Sequence, residues 1–223
     1  RGEKMRGLLI NNFYGIAENV KIFIGVIVFA GVIFSILGDT SMVSVFAFIP
    51  APVMAILAVS CLRKESASRW CQYKCTLPVR RKDIVKSQYI SHAVCGAAGC
   101  AAVALFLTVS VLIHGNVYFY YGFRDAVTLV LGGGILAFLI GAVAYPLYYW
   151  WGEERAEIAM VLAVLGAAGI VVALSMLANV IVQGETVSDF TYYVSLVIIL
   201  VVTVAAYMGS YAISAMIYKK VER

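Results

Sequence analysis

The chain has 223 residues, of which 63% are hydrophobic and 13% charged, with a formal net charge of +5 and a mean hydropathy of +0.94. Soluble domains carry about 25% charged residues, so a soluble domain is excluded. The long uncharged apolar runs mark membrane-spanning helices, and the lack of alternating patterning excludes a barrel. The fold class is all-α, a polytopic membrane protein with six transmembrane helices. Five cysteines, Cys61, Cys71, Cys75, Cys95 and Cys100, are an odd set lying mostly in or beside spans. They read as free cytosolic thiols rather than a disulfide framework. Cys71 and Cys75, at i and i+4, have only His92 near enough in sequence to extend a metal set, so no metal or cofactor is expected on this chain.

Met5 reads as the start of the fold, and no cleavable signal pattern precedes the first apolar run near Ile22. Residues 5–21 predict an amphipathic helix, either lying in the membrane interface or extending the first span: Leu9, Phe13, Ile16 and Val20 form its apolar stripe, Arg6, Asn12, Glu18 and Asn19 its polar positions. Gly15 is the expected bend between this helix and the first span, Ile22 to Leu37. Turn residues 38–41 follow. The second span runs from Met42 to Leu62, and Pro50 and Pro52 predict a break near Ile49 to Ala51. Either the freed carbonyls find partners, with the break facing protein or a water-filled cavity, or the break only relieves packing.

The third span, Tyr89 to Ile113, carries small residues from Gly96 to Ala102, a surface for close helix packing. Tyr118, Phe119, Tyr120, Tyr121 and Phe123 follow as an aromatic cluster at a membrane edge, either an interfacial belt or a gate. The fourth span, Ala126 to Trp150, contains Gly132 to Gly134 and Pro146. After the loop 152–157 come the fifth span, Ile158 to Val182, and the sixth, Tyr192 to Ile217. No second domain or internal repeat is evident, so 5–223 is a single transmembrane domain.

Six spans put both termini on one side. That side carries Arg1, Lys4, Arg6, Lys21, eight basic residues between Arg63 and Lys86, Arg155, Lys219, Lys220 and Arg223; the other carries only Arg124. The positive-inside rule makes the termini, the 63–86 loop and the Glu153 loop cytoplasmic. No Asp, Glu, Lys or Arg falls inside an expected span, which argues against a self-powered pump. No HExxH, GxSxG or GxxxxGK[ST] pattern occurs, so the chain is expected to be a non-enzyme without an ATPase site of its own. A pore or permease body powered by a partner is what remains.

Residues 63–86 form the one long polar segment. Glu65 to Cys75 fits a short helix with Ser66 or Ser68 as N-cap. Trp70, Tyr73 and Leu77 share one face, while Arg69, Gln72 and Lys74 stay polar. Pro78 ends the helix, and Arg81 to Lys86 starts the next. Such a segment either rests on anionic lipid or docks in the cleft of a cytoplasmic protein with Trp70 as anchor.

The run E-S-x-S-x-W-x-x-Y-x-x-T-L-P-V-x-R-K-D-I-V-x-S-x-Y, Glu65 to Tyr89, resembles the loop between the second and third spans of type-2 ATP-binding-cassette (ABC) exporter permeases. The opening M-R-G-L-L-I-N-N-F-Y from Met5 and the six-span layout fit too. Within that superfamily the chain is most similar to permease subunits of phenol-soluble modulin and related peptide exporters. The resemblance implies a permease subunit in the bacterial plasma membrane, pairing with a second permease chain and with separate ABC ATPase subunits that hold ATP and magnesium. It makes 5–21 the elbow helix. It makes Glu65, Ser66, Ser68, Arg69, Trp70, Tyr73, Leu77 and Pro78 the ATPase-coupling residues, and Glu153, Glu154 and Arg155 a second ATPase contact. The implied cargo is peptide or lipid-like. Two other readings stand beside it: a vitamin-capturing membrane subunit of an energy-coupling-factor importer, and a non-transporting scaffold or immunity protein.

Overall fold

The computed structural model describes residues 2–37, 40–67, 79–115, 119, 122–181 and 188–220. Among these the chain is all helical: α1 (Gly2–Leu37), α2 (Thr40–Phe48), α3 (Pro50–Ala67), α4 (Arg81–His114), α5 (Phe123–Trp151), a 3₁₀ turn (Glu153–Arg155), α6 (Ala156–Ile181) and α7 (Asp189–Lys220). Five helical stretches are long and apolar enough to cross a membrane: Met42–Glu65, Arg81–His114, Phe123–Trp151, Ala156–Leu177 and Asp189–Lys220. The count reaches six when the bent pair Arg6–Ala17 and Val20–Phe34 within α1 is taken as one span. The expected six-span layout stands on that pair.

The bend in α1 is 51° and falls between Ala17 and Val20, beyond Gly15. Gly15 has a different task, because a Cβ there would lie 2.7 Å from Cys61 Sγ. It lets α1 lie close on α3. The buried face of this arm is also rotated from the expected stripe: Leu8, Asn12 and Ile16 are buried, while Phe13 and Val20 are partly covered. Asn12 goes inward because polar partners wait for it there.

The second span breaks at Ile49, between α2 and α3, where the prolines predict it. The break packs on protein. A Cβ on Gly99 of α4 would lie 2.6 Å from Ala51 Cα and 3.1 Å from Pro50 O. Gly133 of α5 faces Phe48 O, Ala51 and Pro52 in the same way, and Gly132 faces the Phe48 ring. The glycine run of the fourth span and part of the small-residue face of the third are thus the bed for the kink. Ala97, Ala98 and Ala101 point outward instead.

α5 is central, packing on α2, α3, α4, α6 and α7. α6 and α7 present long apolar faces outward, including Val161, Leu165, Met176, Val197 and Val201. Phe119 packs among Val43, Ala47, Val103 and Leu107, and Phe123 is exposed. Tyr118, Tyr120 and Tyr121 of the expected aromatic cluster lie outside the described residues. The two ends of the bundle are marked by charge. Arg63 pairs with Glu157 at 2.6 Å, and Arg81 donates to Lys219 O at 3.4 Å, at one end. Arg124 pairs with Asp189 at 3.2 Å at the other and lies over the Tyr192 ring. The first end holds the α3 and α4 termini that flank the long loop. By the positive-inside count it is the end expected to face the cytoplasm.

Candidate functional site

α3 carries its buried stripe at Ala51, Ala55, Ala58, Leu62 and Glu65, spaced alternately four and three residues as a packed helix requires. Glu65 continues that stripe one turn past the expected end of the span. Only 7% exposed, it lies inside α3 and not at the start of a separate docking helix. Its Oε2 accepts from Gln88 Nε2 of α4 at 3.1 Å. A carboxylate oxygen and an amide oxygen are both acceptors and cannot bond each other, so the Asn12 amide turns its nitrogen to Leu8 O and Glu65 Oε1, both at 3.3 Å. Its oxygen then accepts from Ser87 Oγ at 3.2 Å.

Gln88 is held from its other side by α5. Tyr149 OH donates to Gln88 Oε1, and Tyr145 OH donates to Gln88 O at 3.3 Å. Tyr148 OH reaches Leu62 O of α3 at 3.2 Å. Glu65, Asn12, Gln88, Cys61 and Ser91 line a cavity of about 10 Å³, about the room one water needs.

One turn deeper, α4, α5 and α7 meet through tyrosines. Tyr89 OH bonds Ser210 Oγ at 2.8 Å and Ser214 Oγ at 2.9 Å, and its ring lies 4.5 Å from that of Tyr145. Tyr207 OH donates to Tyr89 O at 2.9 Å. With that proton committed, Tyr207 accepts from His92 Nδ1 at 3.0 Å, which sets the imidazole as the Nδ1–H tautomer. His92 Nε2 has no hydrogen-bond partner and faces Gly141, where a side chain would collide with the ring. Apart from His92 Nε2, these buried polar groups are bonded to one another, as buried polar groups must be.

Of the expected coupling residues, Glu65 is the one whose side chain the structure describes, and it faces the bundle. Ser66 is in the last turn of α3; its side chain, together with Ser68, Arg69, Trp70, Tyr73, Leu77 and Pro78, lies outside the described residues, as do Cys71 and Cys75. The expected helix start at Arg81 is found. Glu153, Glu154 and Arg155 form the 3₁₀ turn between α5 and α6, with Glu154 and Arg155 exposed. Among the described residues no group of acidic, His or Cys side chains is arranged to hold a metal ion.

The inward residues Gln88, Tyr145, Tyr149 and Tyr207 were not singled out by sequence, and Asn12, expected on the polar face of its helix, is buried. A signal for Gln88 exists in the register: Ile84, Gln88, His92, Cys95, Gly99 and Val103 are one buried stripe of α4, with polar side chains where lipid-facing helices carry aliphatic ones.

A groove of about 550 Å³ runs between α3 and α6, walled by Ile56, Val59, Tyr148, Met160 and Val164, with the Arg63–Glu157 pair at its rim.

A family model described as ABC-2 family transporter protein matches residues 7–219, nearly the whole chain. The chain belongs to the ABC-2 transporter family. It is a multi-pass membrane permease subunit of an ABC transporter, and its family works with ABC ATPases. Comparison with curated proteins finds no match.

Proposed function

We propose that this ABC-2 permease is one of two permease chains of an exporter in the bacterial plasma membrane. Separate ATPase subunits drive it through the 63–86 loop, and its cargo is an amphipathic or antimicrobial-type peptide. The observation that carries the reading is the family match joined to the position of that loop. It leaves α3 and enters α4 at the basic end, beside the exposed Glu154–Arg155 turn. There a cytoplasmic ATPase has both contacts within reach.

The tyrosine packing between α4, α5 and α7 fills the middle of the single chain. A cargo path therefore lies at a face shared with a second chain, for which the outer apolar faces of α1, α6 and α7 offer surface. An apolar groove with an ion pair at its rim supports an amphipathic cargo over a uniformly polar one.

The test is Trp70→Ala in the complex with its ATPase. An anchoring aromatic at an interface contributes about 2 kcal/mol or more, so ATPase affinity falls about 30-fold, while membrane insertion is unchanged. Undiminished ATPase recruitment and ATP-driven efflux in Trp70→Ala would remove the coupling assignment.

A further inference from the structure

Glu65 stands at the exit of α3, three residues before residue 68, where the chain leaves for the loop. A carboxyl group this covered, at the edge of a span, needs something to hold. It holds two other helices: Gln88 of α4 at 3.1 Å and Asn12 of α1 at 3.3 Å. Gln88 in turn carries the hydroxyls of Tyr145 and Tyr149 from α5, on its main-chain and side-chain oxygens. Four helices thus meet at one amide–carboxyl pair, two turns into α4 from the point where the same loop re-enters the bundle at Arg81.

Hydrogen bonds of this kind fail within about 1 Å of displacement. A pull on the loop that shifts the end of α3 against α4 cannot stretch the pair gradually; it releases it. The small cavity beside the pair, lined also by Cys61 and Ser91, gives the released donors a second arrangement, bonded to a single water. An element with two discrete bonded arrangements is what transmits a signal between distant sites.

We infer that Glu65 and Gln88 form a latch that passes movement of the 63–86 loop into α5 through Tyr145 and Tyr149. Glu65 is then a positioning residue that acts from inside the bundle, not a surface contact for the ATPase. The inference rests on the coupling role proposed for the loop.

The experiment is hydrogen–deuterium exchange of α5 peptides covering Tyr145 to Trp151 in the permease–ATPase complex in nanodiscs, with ATP and vanadate and without nucleotide. The parent complex shows a nucleotide-dependent change in these peptides. In Gln88→Leu and Glu65→Met, with ATPase bound, that change falls at least about fivefold. Glu65→Gln retains an acceptor for Gln88 Nε2 and keeps the response, a rescue that a role in packing alone would not single out. Should Gln88→Leu or Glu65→Met fail to fold, Tyr149→Phe, which removes one bond and little volume, shows at least about a twofold loss. A full nucleotide response in Gln88→Leu or Tyr149→Phe, or a parent complex whose α5 ignores nucleotide, overturns the latch alone. A parent chain that recruits no ATPase overturns the coupling reading and the latch with it.

Discussion

Gly99→Ala isolates the close approach of α4 to the broken second span. The added methyl carbon would lie 2.6 Å from Ala51 Cα, 3.1 Å from Ala51 N and 3.1 Å from Pro50 O. Carbon atoms settle at about 3.5–4.0 Å, so α3 and α4 must part by about 1 Å at the kink. All three obstacles are backbone or backbone-attached atoms, and no rotamer change relieves them. Overpacking of this kind costs about 1–3 kcal/mol. Thermal unfolding of the detergent-solubilised protein, followed by a thiol-reactive dye, reads the cost directly, because Cys61 and Cys95 are buried in the fold. At about 2–4 °C per kcal/mol for a chain of this size, the midpoint falls by several degrees. Gly169→Ala is the internal control: nothing lies within 4 Å of its added carbon, and alanine is the better helix former by up to about 1 kcal/mol. A Gly99→Ala midpoint at or above that of the parent, or an equal loss in Gly169→Ala, would refute the packing argument.

Tyr207→Phe removes the hydroxyl that links His92 Nδ1 to Tyr89 O and leaves the buried His92 Nδ1–H without a partner, at about 1–3 kcal/mol, while Tyr89 O keeps its bond within the helix; the same melt checks it, and a midpoint within one degree of the parent speaks against the network. Sidedness is read by an impermeant maleimide on intact cells. A cysteine placed at Asp189 reacts, and one placed at Glu154 reacts only after permeabilisation; the reverse pattern would invert the topology.

Much of the architecture was legible because it follows from sums over local sequence. About twenty apolar residues make a span whatever surrounds them, a proline removes its own hydrogen bond wherever it sits, and the charge count orients the whole chain. The break at Ile49 and the helix start at Arg81 belong to this class. The bend in α1 was misplaced at Gly15 because glycine has two uses, freedom of the backbone and absence of a side chain, and sequence does not say which one is exercised. Here Cys61, 46 residues away, claims the second.

The candidate site was the harder part for the same reason. Glu65 looked like the first residue of a short docking helix within the polar loop because its neighbours Arg63, Lys64 and Ser66 are polar. Its surroundings in space are Asn12 and Gln88, from helices 53 residues before it and 23 residues after it. The sequence by itself determined that this is a multi-span helical protein with a basic face, a broken second span and a long polar loop between the second and third spans, since hydropathy, proline geometry and net charge are additive and need no partner. Only the tertiary structure decided which polar side chains turn inward. Burying a carboxyl group or a tyrosine hydroxyl is unfavourable until a particular donor or acceptor is brought to it, and the helix packing alone brings Gln88 to Glu65 and Tyr207 to His92.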